Sequence, residues 1–219
     1  MDLFKQAKDA DIGSISRMLK HSMVFIDAKQ YVERLNHDSV KVRAIAAYAL
    51  GVLNKKKYLD CVIDVLRKDE NELVRVSCII GFRFFKKFNK LSEIEFALED
   101  ESELVKQAVI EFYTKNHYSA VKDKILSFID SKNLITVLFV LDYISALELT
   151  EYKNLVYNLL GSDNPAIIQS AILTLLDIDA QEYRDEVVSR FINHENPMVK
   201  ITAEWFDEGQ KIKRDFSKF

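Results

Sequence analysis

The sequence predicts an all-α solenoid, a stack of about six two-helix units, on three observations. An apolar residue, followed by a basic one in four of six cases, recurs as Val42-Arg43, Val74-Arg75, Val105-Lys106, Ile135-Thr136, Ile167-Ile168 and Val199-Lys200, in steps of 32, 31, 30, 32 and 32 residues. A period of that size marks stacked supersecondary units rather than one closed core. A residue able to cap a helix precedes each of these pairs. Finally, only 5 glycines and 2 prolines serve 219 residues, whereas β-sandwiches and barrels spend both freely on turns.

Each element follows from local pattern. Residues 1–28 carry a helical stretch with Ile12, Ile15, Met18 and Leu19 on one side, and we expect them to cap the front of the array. Shorter amphipathic first helices are predicted near 29–36, 58–67, 91–98, 119–130, 151–160 and 181–192. The second helices are clearer. In Asp38–Gly51, residues Val42, Ile45, Ala46, Ala49, Leu50 and Leu53 fall at helical spacing on one face. Related columns read Val74, Cys78 and Phe82, then Val105, Val109 and Tyr113, then Ile135, Phe139 and Tyr143, then Ile167, Ala171 and Leu175. The last unit places Asp207 in the third column, which suits a terminal unit with an uncovered side. Ser39, Asn71, Ser102, Asn133, Asn164 and Asn196 stand where a side-chain oxygen can accept from an orphan backbone N–H. Pro165 and Pro197 follow a capping Asn directly, at the one helical position where a missing N–H costs nothing. The array is expected to span residues 29–209 as one domain, with a basic tail over 210–219.

The motif Asp38-Ser39-Val40-Lys41-Val42-Arg43-Ala44-Ile45-Ala46-Ala47-Tyr48-Ala49-Leu50-Gly51, followed by Asp69-Glu70-Asn71-Glu72-Leu73-Val74-Arg75, resembles the HEAT repeat. The short regular form is similar to the bacterial HEAT-like repeats also found in phycobilisome lyases. The resemblance covers about residues 31–209 and implies a right-handed superhelix whose second helices line the concave side. It also implies a structural ladder in which turn acids meet the basic residue of a neighbouring unit, here Asp38, Asp69, Asp100 and Asp163 with Arg43, Arg75 or Lys106. The fourth unit departs most, with Ser131 and Thr136 in place of the acid and base.

Function is less constrained. The net charge of −3 hides an asymmetry: residues 1–90 hold 18 basic against 11 acidic residues, and residues 91–219 hold 13 against 23. Arg83, Lys86, Lys87 and Lys90, beside Phe84, Phe85 and Phe88, form a basic cluster able to attract an acidic segment or a nucleic-acid backbone; the opposing reading is a solvated helix end whose cations suit the helix dipole. The helices near 134–147 and 166–178 are apolar almost all round. Either they are buried, or residues such as Val137, Leu141, Ile144, Leu173 and Leu176 line a docking groove for a partner helix.

No phosphate loop, HExxH or GxSxG motif is present, and His21, His37, His117 and His194 lack metal-ligand spacing. No metal, cofactor or catalytic residue is therefore expected. Cys61 and Cys78 form no disulfide framework, and Cys78 sits in a small-residue core column. No apolar run reaches the roughly 18–20 residues a membrane span needs, and no signal-peptide pattern opens the chain, so a cytoplasmic location is expected. The reading that needs no special residues is a non-catalytic scaffold or adaptor binding another protein or peptide on the concave surface. The alternatives are an enzyme on the same scaffold, resembling the alkylpurine DNA glycosylases or the bilin lyases, and nucleic-acid binding through the basic front half.

Overall fold

The computed structural model describes residues 12–22, 27–85 and 91–209. Its helices are α1 (Ile12–Ser22), α2 (Ala28–Arg34), α3 (Val40–Val52), α4 (Leu59–Lys68), α5 (Glu72–Phe82), α6 (Glu103–Lys115), α7 (Lys122–Leu126), α8 (Leu134–Ala146), α9 (Lys153–Asn158), α10 (Pro165–Asp177), α11 (Arg184–Phe191) and α12 (Pro197–Asp207). Where the pattern predicts a first helix near 91–98, the chain forms a 3-10 helix, Leu91–Glu99. Short 3-10 turns, Lys56–Tyr58, Thr150–Tyr152 and Gln181–Tyr183, lead into α4, α9 and α11. No strand occurs among the described residues. The architecture is all-α, a helical-repeat solenoid. The chain forms two compact units, residues 1–112 and 113–219.

Unit 1 is built on the pairing of α3 with α5, backed by α2 and α4. The two second helices meet at glycines. A Cβ on Gly51 would fall 2.2 Å from the Gly81 carbonyl oxygen, so only hydrogen fits at this crossing. In unit 2, α8, α10 and α12 lie side by side, and α9 and α11 pack behind α10 and α12.

Local chemistry sets the helix starts. The Asn71 side chain accepts from Leu73 N–H, Asn133 from Thr136, Asn164 from Ala166, and Asn196 from Met198 and Val199. Each satisfies one or two of the orphan donors of a helix N-terminus. Ser39 begins α3 without a side-chain cap. Five of the six described second helices, all but α5, end on a feature the sequence hides. Asn54, His117, Glu148 and Asp179 all have φ between 49° and 58°, and Gly209 has 64°. This left-handed step closes a helix most cheaply with glycine or asparagine, yet only two of the five residues are of those types.

The capping residues also correct the repeat register. They are spaced 32, 31, 31, 31 and 32 residues apart. Counting from the cap, the position of Arg43, Arg75 and Lys106 is held in the fourth unit by Val137, one residue later than Thr136, and in the fifth by Ile168. Thr136, Val137 and Ile168 are all buried.

Candidate functional site

Three surfaces could carry function. They are the turn edge ahead of the second helices, the far end of α5, and the outer face of the second-helix layer.

At the turn edge, the side chain two residues before each cap accepts the cap's own N–H. His37 Nδ1 accepts from Ser39, Asp69 Oδ1 from Asn71, Asp100 Oδ1 from Ser102, Ser131 Oγ from Asn133, Ser162 Oγ from Asn164 and His194 Nδ1 from Asn196, at 2.8–3.1 Å. Where this residue is Asp, it also receives the arginine of the preceding repeat. Arg43 Nε and Nη2 donate to Asp69 at 2.7 and 3.1 Å, while its Nη1 reaches the His37 and Asp38 carbonyls. Arg75 repeats the arrangement, donating to Asp100 at 2.8 and 2.8 Å and to the Asp69 carbonyl at 2.9 Å.

Both guanidiniums are nearly covered and both are held above their ordinary value. For Arg43 the Asp69 hydrogen bond dominates; for Arg75, burial works against the charge and the Asp100 bonds outweigh it. Asp38 and Asp163, expected in this ladder, stand one residue past the accepting position and face solvent. Lys106 bonds Glu103 one turn back, at 2.8 Å. In unit 2 the two ladder positions hold Val137 with Ser162 and Ile168 with His194, so the guanidinium gives way to an apolar residue and the carboxylate to an uncharged hydroxyl or an imidazole. The concavity of about 610 Å³ beside Arg43, lined by His37, Asp38, Asp64, Lys68 and Glu70 among others, is the open side of this ladder.

The basic cluster resolves only at its edge. Arg83 Nη2 donates to Glu111 at 2.7 Å and the pair is mostly covered. Phe82 packs on Phe85 and Phe112, and Phe84 stands edge-on to Tyr48. Lys86, Lys87 and Lys90 lie outside the described residues.

The second-helix face differs between the units. Residues two, five and nine positions after the cap lie along one side of each second helix. In unit 1, Ala44, Tyr48, Val76 and Ile80 hold the five and nine positions of α3 and α5, and all four are buried. Helix α1 packs against both α3 and α5. It presents Ile12, Ile15 and Leu19 inward, all buried, and leaves Arg17, Lys20 and His21 in solvent. In unit 2 the same positions read Ile135, Leu138 and Asp142 on α8, Ala166, Gln169 and Leu173 on α10, and Met198, Ile201 and Trp205 on α12. Ile135 and Met198 are each 48% exposed, and the other seven are half-buried. No described helix of this unit takes the place of α1.

Of the two readings the sequence left open for these helices, burial holds for most of the named residues, and the open face lies a fraction of a helical turn away. Val137, Leu141, Ile144 and Leu176 are interior, at most 2% exposed, because they face the neighbouring helices that the repeat stacks against them. Only Leu173 of the expected set reaches the open face. Sequence periodicity alone could not separate the two sides, since α8 and α10 are apolar around most of their circumference. The capping register would have done so.

A second ladder links the first helices of unit 2. Lys122 pairs with Glu151 at 3.0 Å and Lys153 with Glu182. The Tyr152 hydroxyl donates to Asp123 at 3.1 Å, and the Tyr183 hydroxyl reaches Asn154. Tyr157 bonds Glu186 and stacks on Tyr183 with ring centroids 4.4 Å apart. The partners sit 29 residues apart, and the signal is the recurring Glu151-Tyr152-Lys153-Asn154 and Glu182-Tyr183-Arg184-Asp185. These exposed contacts are each worth little, but repeated they hold register along the array.

Among the described residues, no group of His, Cys, Asp and Glu is placed to hold a metal ion, and no helix is long and apolar enough to cross a membrane.

No protein-family model matches the sequence, and no curated protein matches it. Among solved structures, the chain is similar to the complex of CpcE and CpcF of phycocyanin lyase from Nostoc sp. PCC7120, with a TM-score of 0.60 over 83% of this chain and 76% of that one, at 13% sequence identity. At that identity the likeness is one of fold, and it places the chain among helical-repeat structures.

Proposed function

We propose that the chain is a non-catalytic protein-interaction module of HEAT-like repeats that binds a protein partner on the second-helix face of unit 2. The observation that carries this reading is the row Ile135, Leu138, Leu173, Met198, Ile201 and Trp205, exposed or half-buried, whereas the residues five and nine positions after the cap on α3 and α5 of unit 1 are buried. Solvent contact of this much aromatic and aliphatic surface costs about 25 cal/mol per Å², and contiguous apolar surface on a folded protein marks a contact site. The test is affinity capture from the native host with the intact chain and with Leu138→Glu and Ile201→Glu, each checked for helicity by circular dichroism. One protein retained by the intact chain and lost by both folded variants supports the proposal. A retained partner insensitive to both overturns the choice of face, and no retained partner overturns the module.

A second reading rests on the fold likeness to phycocyanin lyase subunits: a bilin lyase-like role. It predicts that the purified chain shifts the absorption of an added linear tetrapyrrole at stoichiometric concentration, and an unchanged spectrum removes it.

A further inference from the structure

We infer that the partner element received by this face is a basic amphipathic α-helix, seated as α1 is seated on unit 1. The inference rests on the interaction-module reading and names the chemistry of what binds.

The chain supplies its own precedent. Helix α1 is an amphipathic segment whose apolar residues Ile12, Ile15 and Leu19 fall at i, i+3 and i+7. It packs on two adjacent second helices, α3 and α5. Unit 2 offers the equivalent pair twice, as α8 with α10 and α10 with α12, which are neighbours in the same layer. The open residues of each of its helices follow the same i, i+3, i+7 spacing, so a docked helix meets rows of matching period.

Charge selects the kind of helix. The exposed side of α1 holds Arg17, Lys20 and His21, and α1 contains no acidic residue. Residues 134–209 hold thirteen acidic residues against four basic ones, Lys153, Arg184, Arg190 and Lys200. Three of those four are committed to ion pairs with Glu182, Asp207 and Glu186. Asp142 lies on the open row itself, and Glu204 stands beside Trp205 on α12. A helix with an acidic flank would meet like charge here, whereas a basic flank is attracted and steered.

The probe is an amidated peptide of the Ile12–Ser22 sequence, with a second peptide carrying Arg17→Glu and Lys20→Glu, titrated into the full chain. Trp205 is the only tryptophan and sits on the face, so its emission reports occupancy directly. The chain's own α1 is tethered beside unit 1 at an effective concentration near the millimolar range, so added peptide displaces it poorly and reads unit 2. The expected result is saturable binding below about 1 mM with a blue shift of Trp205. It should weaken at least tenfold in Ile201→Glu and in the charge-reversed peptide, and be unchanged in Lys41→Glu, whose site is exposed in unit 1.

Equal binding of the two peptides overturns the basic preference. Binding unaffected by Ile201→Glu overturns the site. Sedimentation showing a dimer that Ile201→Glu dissociates assigns the face to a second copy, and binding that appears only in a chain ending at Gly209 assigns it to the chain's own C-terminal residues; either overturns the inference. If the peptide fails while capture still yields a partner lost in Ile201→Glu, the interaction module stands and only the helical ligand falls.

Discussion

Replacing Arg75 by valine tests the physics of the turn ladder, and the chain itself shows how to repair the damage. The Arg75 side chain is 8% accessible and forms two bonds of 2.8 Å to Asp100 and one of 2.9 Å to the Asp69 carbonyl. Removing it strands the Asp100 carboxylate, 11% accessible, with the hydrogen bond from the Ser102 N–H still in place. Breaking a buried pair from one side costs about 3–5 kcal/mol; the surviving N–H bond and the partial water access set the expectation at about 3 kcal/mol. In unit 2 the same two positions hold Val137 and Ser162, and the Ser162 hydroxyl alone satisfies the cap N–H at 3.1 Å. Asp100→Ser added to Arg75→Val therefore removes the stranded charge and keeps the cap bond. The double variant should lose only about 1 kcal/mol, about 2 kcal/mol less than Arg75→Val alone. Urea unfolding followed by circular dichroism measures the cycle, with the transition of unit 1 fitted separately if the two units unfold apart. If the two single-variant losses simply add, within about 0.5 kcal/mol, the ladder is not a coupled pair and the account of it fails.

Three further outcomes follow from the geometry. Gly51→Ala places a methyl 2.2 Å from the Gly81 carbonyl and should cost about 3 kcal/mol or more, read from the same urea transition, whereas Gly81→Ala, with its nearest contact at 3.1 Å, should cost clearly less. Glu148→Gly relieves a left-handed residue at φ 50° and should raise stability by about 0.5–1 kcal/mol, visible as a higher urea midpoint. Cys78 is fully buried and burial pushes its thiol far above the ordinary range, while Cys61 is half-buried; an aromatic disulfide reagent should therefore modify one thiol in the native chain and the second only on unfolding.

Much of the fold was legible because caps and apolar spacing are local. Asn71, Asn133, Asn164 and Asn196 cap the helices that their positions implied, and Pro165 and Pro197 open α10 and α12. What the sequence obscured was register. Aligning on the apolar–basic pair slips by one residue in the fourth unit, because Val137 and Ile168 have replaced the arginine that marks the position. That slip left the interior residues Val137, Leu141 and Ile144 open to a groove reading beside the buried one, and Asp38 and Asp163, which the resemblance put in the ladder, stand one residue past the position that Asp69 and Asp100 hold. The first helices were harder still. Their length is divided between 3-10 turns and short α segments, so 119–130 yields a helix only over Lys122–Leu126. The open face itself is a tertiary property. Nothing in the sequence of α8, α10 or α12 says that α1 packs on α3 and α5 in unit 1 while no described helix takes that place on theirs.

The most direct measurement places a photoactivatable phenylalanine analogue at Leu138, at Ile201 and at Lys41 in turn and irradiates the chain inside its native host. Discrete cross-linked protein adducts at 138 and 201, with none at 41, are what this account predicts. Adducts confined to 41, or none at any of the three positions, would contradict it.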